Sequence, residues 1–104
     1  MDACNIVLIG FMACGKTTIG KIVAQKMGYK FIDTDSEIEK RCGMTISDLF
    51  NLKGEEFFRQ LESGLVDEIS LLKKTVISCG GGIVQNEENI KKLKNNGVVI
   101  YLKC

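Results

Sequence analysis

The chain has 104 residues, 45% hydrophobic and 26% charged, with a formal net charge of +1, no histidine and five cysteines. These numbers describe one globular domain with a modest core, and the near-neutral balance excludes the broad positive field that draws nucleic acid or an anionic membrane. The cysteines (Cys4, Cys14, Cys42, Cys79 and Cys104) are odd in number, widely spaced and without a histidine, which excludes a zinc-ligand pattern and points to a reduced, cytoplasmic setting. No basic leader and no apolar run of membrane-spanning length is present, so neither a signal peptide nor a transmembrane helix is expected.

The first predicted element is an apolar, β-branched strand at residues 5–9 (Asn-Ile-Val-Leu-Ile). It runs into Gly10-Phe-Met-Ala-Cys-Gly15-Lys16-Thr17, the G-x4-G-K-[ST] spacing of a P-loop, and a helical pattern follows over residues 17–27. Successive backbone N–H groups can wrap phosphate oxygens only where side-chain bulk is small, and the glycine-rich turn supplies that. The spacing therefore predicts a nucleotide-phosphate site made by Ala13, Cys14, Gly15, Lys16, Thr17 and Thr18. Lys16 neutralises the β- and γ-phosphates and Thr17 offers its hydroxyl to Mg²⁺. The helix over 17–27 places Ile19, Ile22, Val23 and Met27 on one face before Gly28.

A short strand, Phe31-Ile32, ends at Asp33. Thr34 with Glu37 three positions on reads as a capping box, opening a helix that closes near Gly43. A further short helix is predicted over 45–52, closed by Gly54. Residues 55–72 carry Phe58, Leu61, Leu65, Ile69 and Leu72 at steps of three and four, a long amphipathic helix with its apolar face inward. A third strand at 75–79 runs into Gly80-Gly81-Gly82, a capped helix covers 86–95, and a fourth strand occupies 98–102 (Val-Val-Ile-Tyr-Leu). The lysines at 73–74 and 91–94 read as solvated helix ends and faces.

Alternating strands and helices predict an α/β, P-loop NTPase-like three-layer sandwich around a parallel sheet of order 2-3-1-4, with ligands outside the carboxyl ends of the strands. That rule brings together the loops at 10–17, 33–35 and 80–82. Two residues apart in extended chain, Asp33 and Asp35 direct their carboxylates the same way, one to metal-bound water and one to a hydroxyl; the plainer reading is that Asp35 or Thr34 caps the next helix. Arg59 and Glu62 share a helix face and on their own describe a weak surface ion pair. Three glycines after a strand are either a flexible loop or a place where backbone closely approaches a ligand.

Taken in order, GFMACGKTT from Gly10, FIDTD ending at Asp35, FFRQLE around Arg59 and Glu62, and SCGGG from Ser78 make the chain similar to shikimate kinases over essentially its whole length. The resemblance implies transfer of the ATP γ-phosphoryl group to the 3-hydroxyl of shikimate, in aromatic amino-acid biosynthesis. It implies Lys16 on phosphate, Thr17 on Mg²⁺, and Asp33 acting through metal-bound water. Asp35 would hold shikimate hydroxyls and assist the attacking oxygen, and Arg59 would pair with the shikimate carboxylate, oriented by Glu62. Amides of Gly80, Gly81 and Gly82 would line the acceptor pocket.

Family members continue into a lid bearing an arginine, a further carboxylate-binding arginine, a fifth strand, a last helix and an adenine-contacting loop. On that reading the chain is a single, C-terminally incomplete kinase domain, and two expectations follow. Turnover is feeble, because an arginine-finger contribution of roughly 10³ to 10⁵ is missing. The strand at 98–102, apolar on both faces, becomes an uncovered edge through which the chain self-associates. Cys14, inside the phosphate loop, reads either as a small filler or as a reactive thiol whose modification blocks nucleotide binding. Two other classes compete: a different small-molecule P-loop kinase, and a non-catalytic phosphate- or shikimate-binding module.

Overall fold

The computed structural model describes residues 4–10 and 16–102, and of Lys16 the backbone alone. Among these are four strands, β1 (Asn5–Gly10), β2 (Lys30–Asp33), β3 (Thr75–Ser78) and β4 (Gly97–Leu102). The helices are α1 (Lys16–Met27), α2 (Thr34–Cys42), α3 (Ile46–Lys53), α4 (Glu55–Ile69) and α5 (Glu87–Asn95), with a 3-10 turn at Ile83–Gln85. All strand pairs are parallel and the order is β2-β3-β1-β4, the order expected. No described helix is long and apolar enough to cross a membrane.

A parallel sheet needs both faces covered, and two apolar clusters do this. Val7, Ile77, Phe58, Leu65, Val66 and Leu93 join the sheet to α4 and α5 on one face. Leu8, Val76 and Ala24 join it to α1 on the other. Strand β3, with four buried residues in a row, is the centre of the molecule. Asn5 pins the amino ends of the strands: its Nδ2 donates to the Leu72 carbonyl (2.9 Å) and its Oδ1 accepts from the Thr75 amide (3.1 Å).

The structure departs from the sequence reading in three places. Helix α1 does not bury Ile19, Ile22 and Met27, which are exposed. It buries Gly20 and Ala24 instead, because small residues let it sit close to the sheet; a Cβ built on Gly20 would lie 2.5 Å from the Phe31 ring. The cap of α2 is Asp33, not Thr34: the Asp33 carboxylate accepts from the Ser36 amide at 3.2 Å, leaving the buried Thr34 hydroxyl for another partner. Helix α4 ends at Ile69 rather than at 72. There the amides of Leu71 and Leu72 reach back only three residues, and the Asn5 and Asn96 side chains take the Leu72 carbonyl, turning the chain into β3.

Candidate active site

The site lies where β2 and β3 end and α1 begins. Thr17, in the first turn of α1, donates its hydroxyl to Asp33 Oδ2 at 2.9 Å. Asp33 therefore serves two helices, its other oxygen capping α2. A hollow of about 260 Å³ opens beside this pair, lined by Thr17, Lys21, Asp33, Ser36, Glu37 and Lys40. The expected phosphate contacts Ala13, Cys14 and Gly15 fall outside the described residues, as does the Lys16 side chain; Thr18 is exposed on α1.

Asp33 and Asp35 are not a matched pair on one extended segment. The helix starts at Thr34, so Asp33 belongs to the strand end and Asp35 to the first turn of α2, and the alternation expected of extended chain stops between them. Asp33 reaches Thr17 while Asp35 lies against the glycine loop: a Cβ built on Gly80 would come within 2.7 Å of Asp35 Cγ and Oδ2.

Arg59 and Glu62 are more than a surface pair. Arg59 Nη1 donates to Glu62 Oε1 at 2.8 Å, and the Glu62 side chain is only 2% exposed. On its outer side Arg59 Nη2 meets Glu55 at 3.2 Å, and the guanidinium lies 5.8 Å and 5.7 Å from the rings of Phe50 and Phe58. Two carboxylates and two rings fix the plane of the fork. Each pairing uses one N–H of a terminal nitrogen, and each such nitrogen carries a second. The hydrogen bond and charge of Glu62, with lesser help from Glu55, hold the Arg59 pKa above its usual value against the opposing effect of burial. Burial pushes the Glu62 carboxyl up from 4.5; Arg59 restrains that rise and the charge of Asp35 adds to it.

The glycine loop closes against this assembly. A Cβ on Gly82 would strike the Arg59 guanidinium and lie 2.8 Å from Glu62 Oε1, whereas one on Gly81 would meet nothing within 4 Å. None of the three has a positive φ. Gly80 and Gly82 are thus required for space rather than for backbone freedom, and Gly81 by neither criterion. Arg59, Glu62 and Gly82 share a cleft of about 550 Å³ with Glu55, Ser63 and Asn89. Asn89 Oδ1 is, among the described residues, the buried side-chain oxygen without a hydrogen-bond partner. The structure accordingly joins Asp35, Arg59, Glu62, Gly80 and Gly82 in one group and Thr17 with Asp33 in another.

Sequence reasoning missed Glu55, Phe50 and Asn89, and gave Thr34 and Phe58 other tasks, as a helix cap and as core. The Glu55–Arg59 spacing of four was readable as an ion pair. The contact of Phe50 with Phe58, ring centroids 4.8 Å apart and tilted by 37°, was not, because it depends on the turn at Gly54 between α3 and α4.

The shikimate kinase family model matches residues 12–104. A shikimate kinase of Alkaliphilus oremlandii is 56% identical over 100 residues, covering 96% of this chain and 59% of the relative. One of Caldicellulosiruptor bescii is 52% identical over 98 residues, covering 94% and 57%. The chain thus spans somewhat under two thirds of the length of the curated relatives it matches. Among solved structures, the shikimate kinase of Acinetobacter baumannii in complex with shikimate superposes with a TM-score of 0.94 at 39% identity, over 98% of this chain and 57% of that one. The shikimate kinase of Aquifex aeolicus gives 0.89 at 38%, over 95% and 63%. A gluconokinase of Sinorhizobium meliloti, at 15% identity and a TM-score of 0.59, shares the fold alone. With the family model extending over almost every residue and half of the aligned positions identical in these relatives, the chain belongs to the shikimate kinase family.

Proposed function

We propose that residues 1–104 form a single P-loop kinase domain carrying the acceptor site for transfer of the ATP γ-phosphoryl group to the 3-hydroxyl of shikimate. The observation that carries this reading is the wall on which Asp35, the Arg59–Glu62 pair and the side-chain-free faces of Gly80 and Gly82 meet. That wall offers a planar cation for a carboxylate, a carboxylate for hydroxyls, and bare backbone against a ring. The complex of the Acinetobacter baumannii relative with shikimate supports the same acceptor.

Phosphoryl transfer is mostly positioning and charge neutralisation. Arg59 binds the substrate carboxylate through its remaining N–H groups while Glu62 holds its plane. Asp35 accepts a hydrogen bond from the attacking hydroxyl and takes its proton as the oxygen bonds to the γ-phosphorus and the bond from that phosphorus to the β-γ bridging oxygen breaks, releasing ADP. The Gly80 amide is already donated within the protein, at 2.8 Å to Thr34, so acceptor contacts from amides come from Gly81 and Gly82. In this reading Lys16 neutralises the phosphates and the backbone of Ala13, Cys14, Gly15, Thr17 and Thr18 binds them, the tasks of the G-x4-G-K-[ST] pattern. Thr17 and Asp33 present converging hard oxygens, the donor type that Mg²⁺ accepts beside phosphate and water. They fit that ion, which when bound supplies charge neutralisation on the β- and γ-phosphate oxygens.

Calorimetric titration of shikimate, with and without MgADP, tests the reading. Arg59→Lys keeps the charge and loses the fork, so shikimate binding weakens by about tenfold to a hundredfold, the range for one charged, bidentate contact. Asp35→Asn weakens it similarly. Absence of shikimate binding by the parent chain, or unchanged affinity in both variants, overturns the assignment. A different small-molecule P-loop kinase is the competing reading, and MgADP binding with no shikimate binding would favour it. Shikimate binding with no ADP release would favour the non-catalytic module.

A further inference from the structure

Thr34 is fully buried, yet it opens a helix, where a hydroxyl residue ordinarily faces solvent and caps its own backbone. That task belongs to Asp33. The Thr34 hydroxyl instead accepts from the Gly80 amide, 46 residues away, at 2.8 Å in a buried setting. The geometry continues the sheet by other means. The β2–β3 ladder ends at Asp33↔Ser78, and on the opposite side of β3 the next amide, Cys79, donates to the Leu8 carbonyl of β1 at 2.9 Å. Parallel pairing alternates sides, so the Gly80 amide faces β2, whose chain has already turned into α2. A side-chain oxygen stands where a ladder carbonyl would be.

Resting on the shikimate reading above, we propose that Thr34 is a positioning residue for the acceptor site. Its hydroxyl, by holding the Gly80 amide, fixes how closely the glycine loop lies against Asp35. Gly80 already has no room for a Cβ beside the Asp35 carboxylate, so the loop backbone packs directly against that carboxylate. Because Thr34 sits between Asp33 and Asp35, one bond ties the loop to the segment bearing both acids. Losing it leaves Gly80 with a buried, unpaired N–H and lets the loop move off Asp35.

The test compares Thr34→Val, which keeps the shape without the acceptor, with Thr34→Ser, which keeps the acceptor. Thr34→Val weakens shikimate binding about tenfold, leaves MgADP binding within about twofold, and speeds exchange of the Gly80 amide proton at least tenfold. Thr34→Ser restores all three to near the parent. Equal damage in both variants, or an unaltered shikimate affinity in a folded Thr34→Val, overturns the proposal. If the valine variant does not fold, the parent still decides it: a Gly80 amide that exchanges as fast as the exposed Gly81 amide contradicts the bond. A parent chain that binds no shikimate refutes the substrate reading alone, because amide exchange continues to report on the Thr34–Gly80 bond.

Discussion

Glu62 shows how much of a site residue's chemistry resides in its surroundings. Its spacing from Arg59, three residues on one helix, is legible on a helical wheel. Its burial was not legible, because the cover comes from Gly82, twenty residues on in sequence, and no local pattern states that a loop without side chains will fold over a carboxylate. Burial has a measurable consequence. The folded-state pKa of Glu62 is raised above 4.5, so from about pH 4.5 up to that higher value the folded protein holds a proton that the unfolded chain has released. Stability then falls as pH rises through the window, since the native state binds more protons there. In Glu62→Gln this dependence is absent. Urea unfolding across pH 4 to 7 should show the advantage of the parent over Glu62→Gln greatest at the acid end and declining toward neutrality. An advantage that grows with pH would mean that the Arg59 pairing, not burial, governs this carboxyl.

At the scale of elements, the sequence told strands from helices well and told which face of a helix is buried less well. Helix α4 was readable because Phe58, Leu65 and Ile69 are large and periodic. Helix α1 misled because its contact surface is made by what is missing: Gly20 and Ala24 permit close approach, while the larger Ile19, Ile22 and Met27 stay outside. The cap of α2 misled because Asp33 and Thr34 are both good caps, and only the distant Gly80 amide selects between them. Two glycines inside helices put this account to the test. In α1, Gly20→Ala drives a methyl to 2.5 Å from Phe31 and 3.3 Å from Leu8. Overpacking of about 1 to 3 kcal/mol then outweighs a helix-propensity gain of up to about 1 kcal/mol. A fall in Tm of several degrees is expected. In α4, Gly64 is exposed with nothing within 4 Å of a built Cβ, so Gly64→Ala stabilises by about 0.5 to 1 kcal/mol. The same substitution thus has opposite signs in two helices, and equal Tm shifts in calorimetry would refute the packing assigned to α1.

For the whole molecule, right-handed crossovers alone are compatible with several strand orders, and the observed order β2-β3-β1-β4 determines which strands stand at the borders among the described residues. Strand β4 pairs with β1 over its full length, Asn5↔Gly97 to Gly10↔Leu102, and has no neighbour on its other side among the described residues. Its apolar run has the pattern of an interior strand, yet Val98 (56%), Ile100 (41%) and Tyr101 (53%) are exposed on it. An edge of this kind offers unpaired backbone groups with no charge, proline or bulge to deter a second strand. The 104-residue chain should therefore associate in solution, with an apparent mass by sedimentation equilibrium that rises with concentration. Lysine at two outward positions, Val98→Lys with Ile100→Lys, places charges on that edge. Both side chains are already exposed, so the double variant should sediment as a monomer while its unfolding free energy, extrapolated to the monomer, changes by no more than about 1 kcal/mol. A parent chain that stays monomeric at several hundred micromolar, with a single cooperative unfolding transition, would show that the β4 edge does not recruit a partner strand.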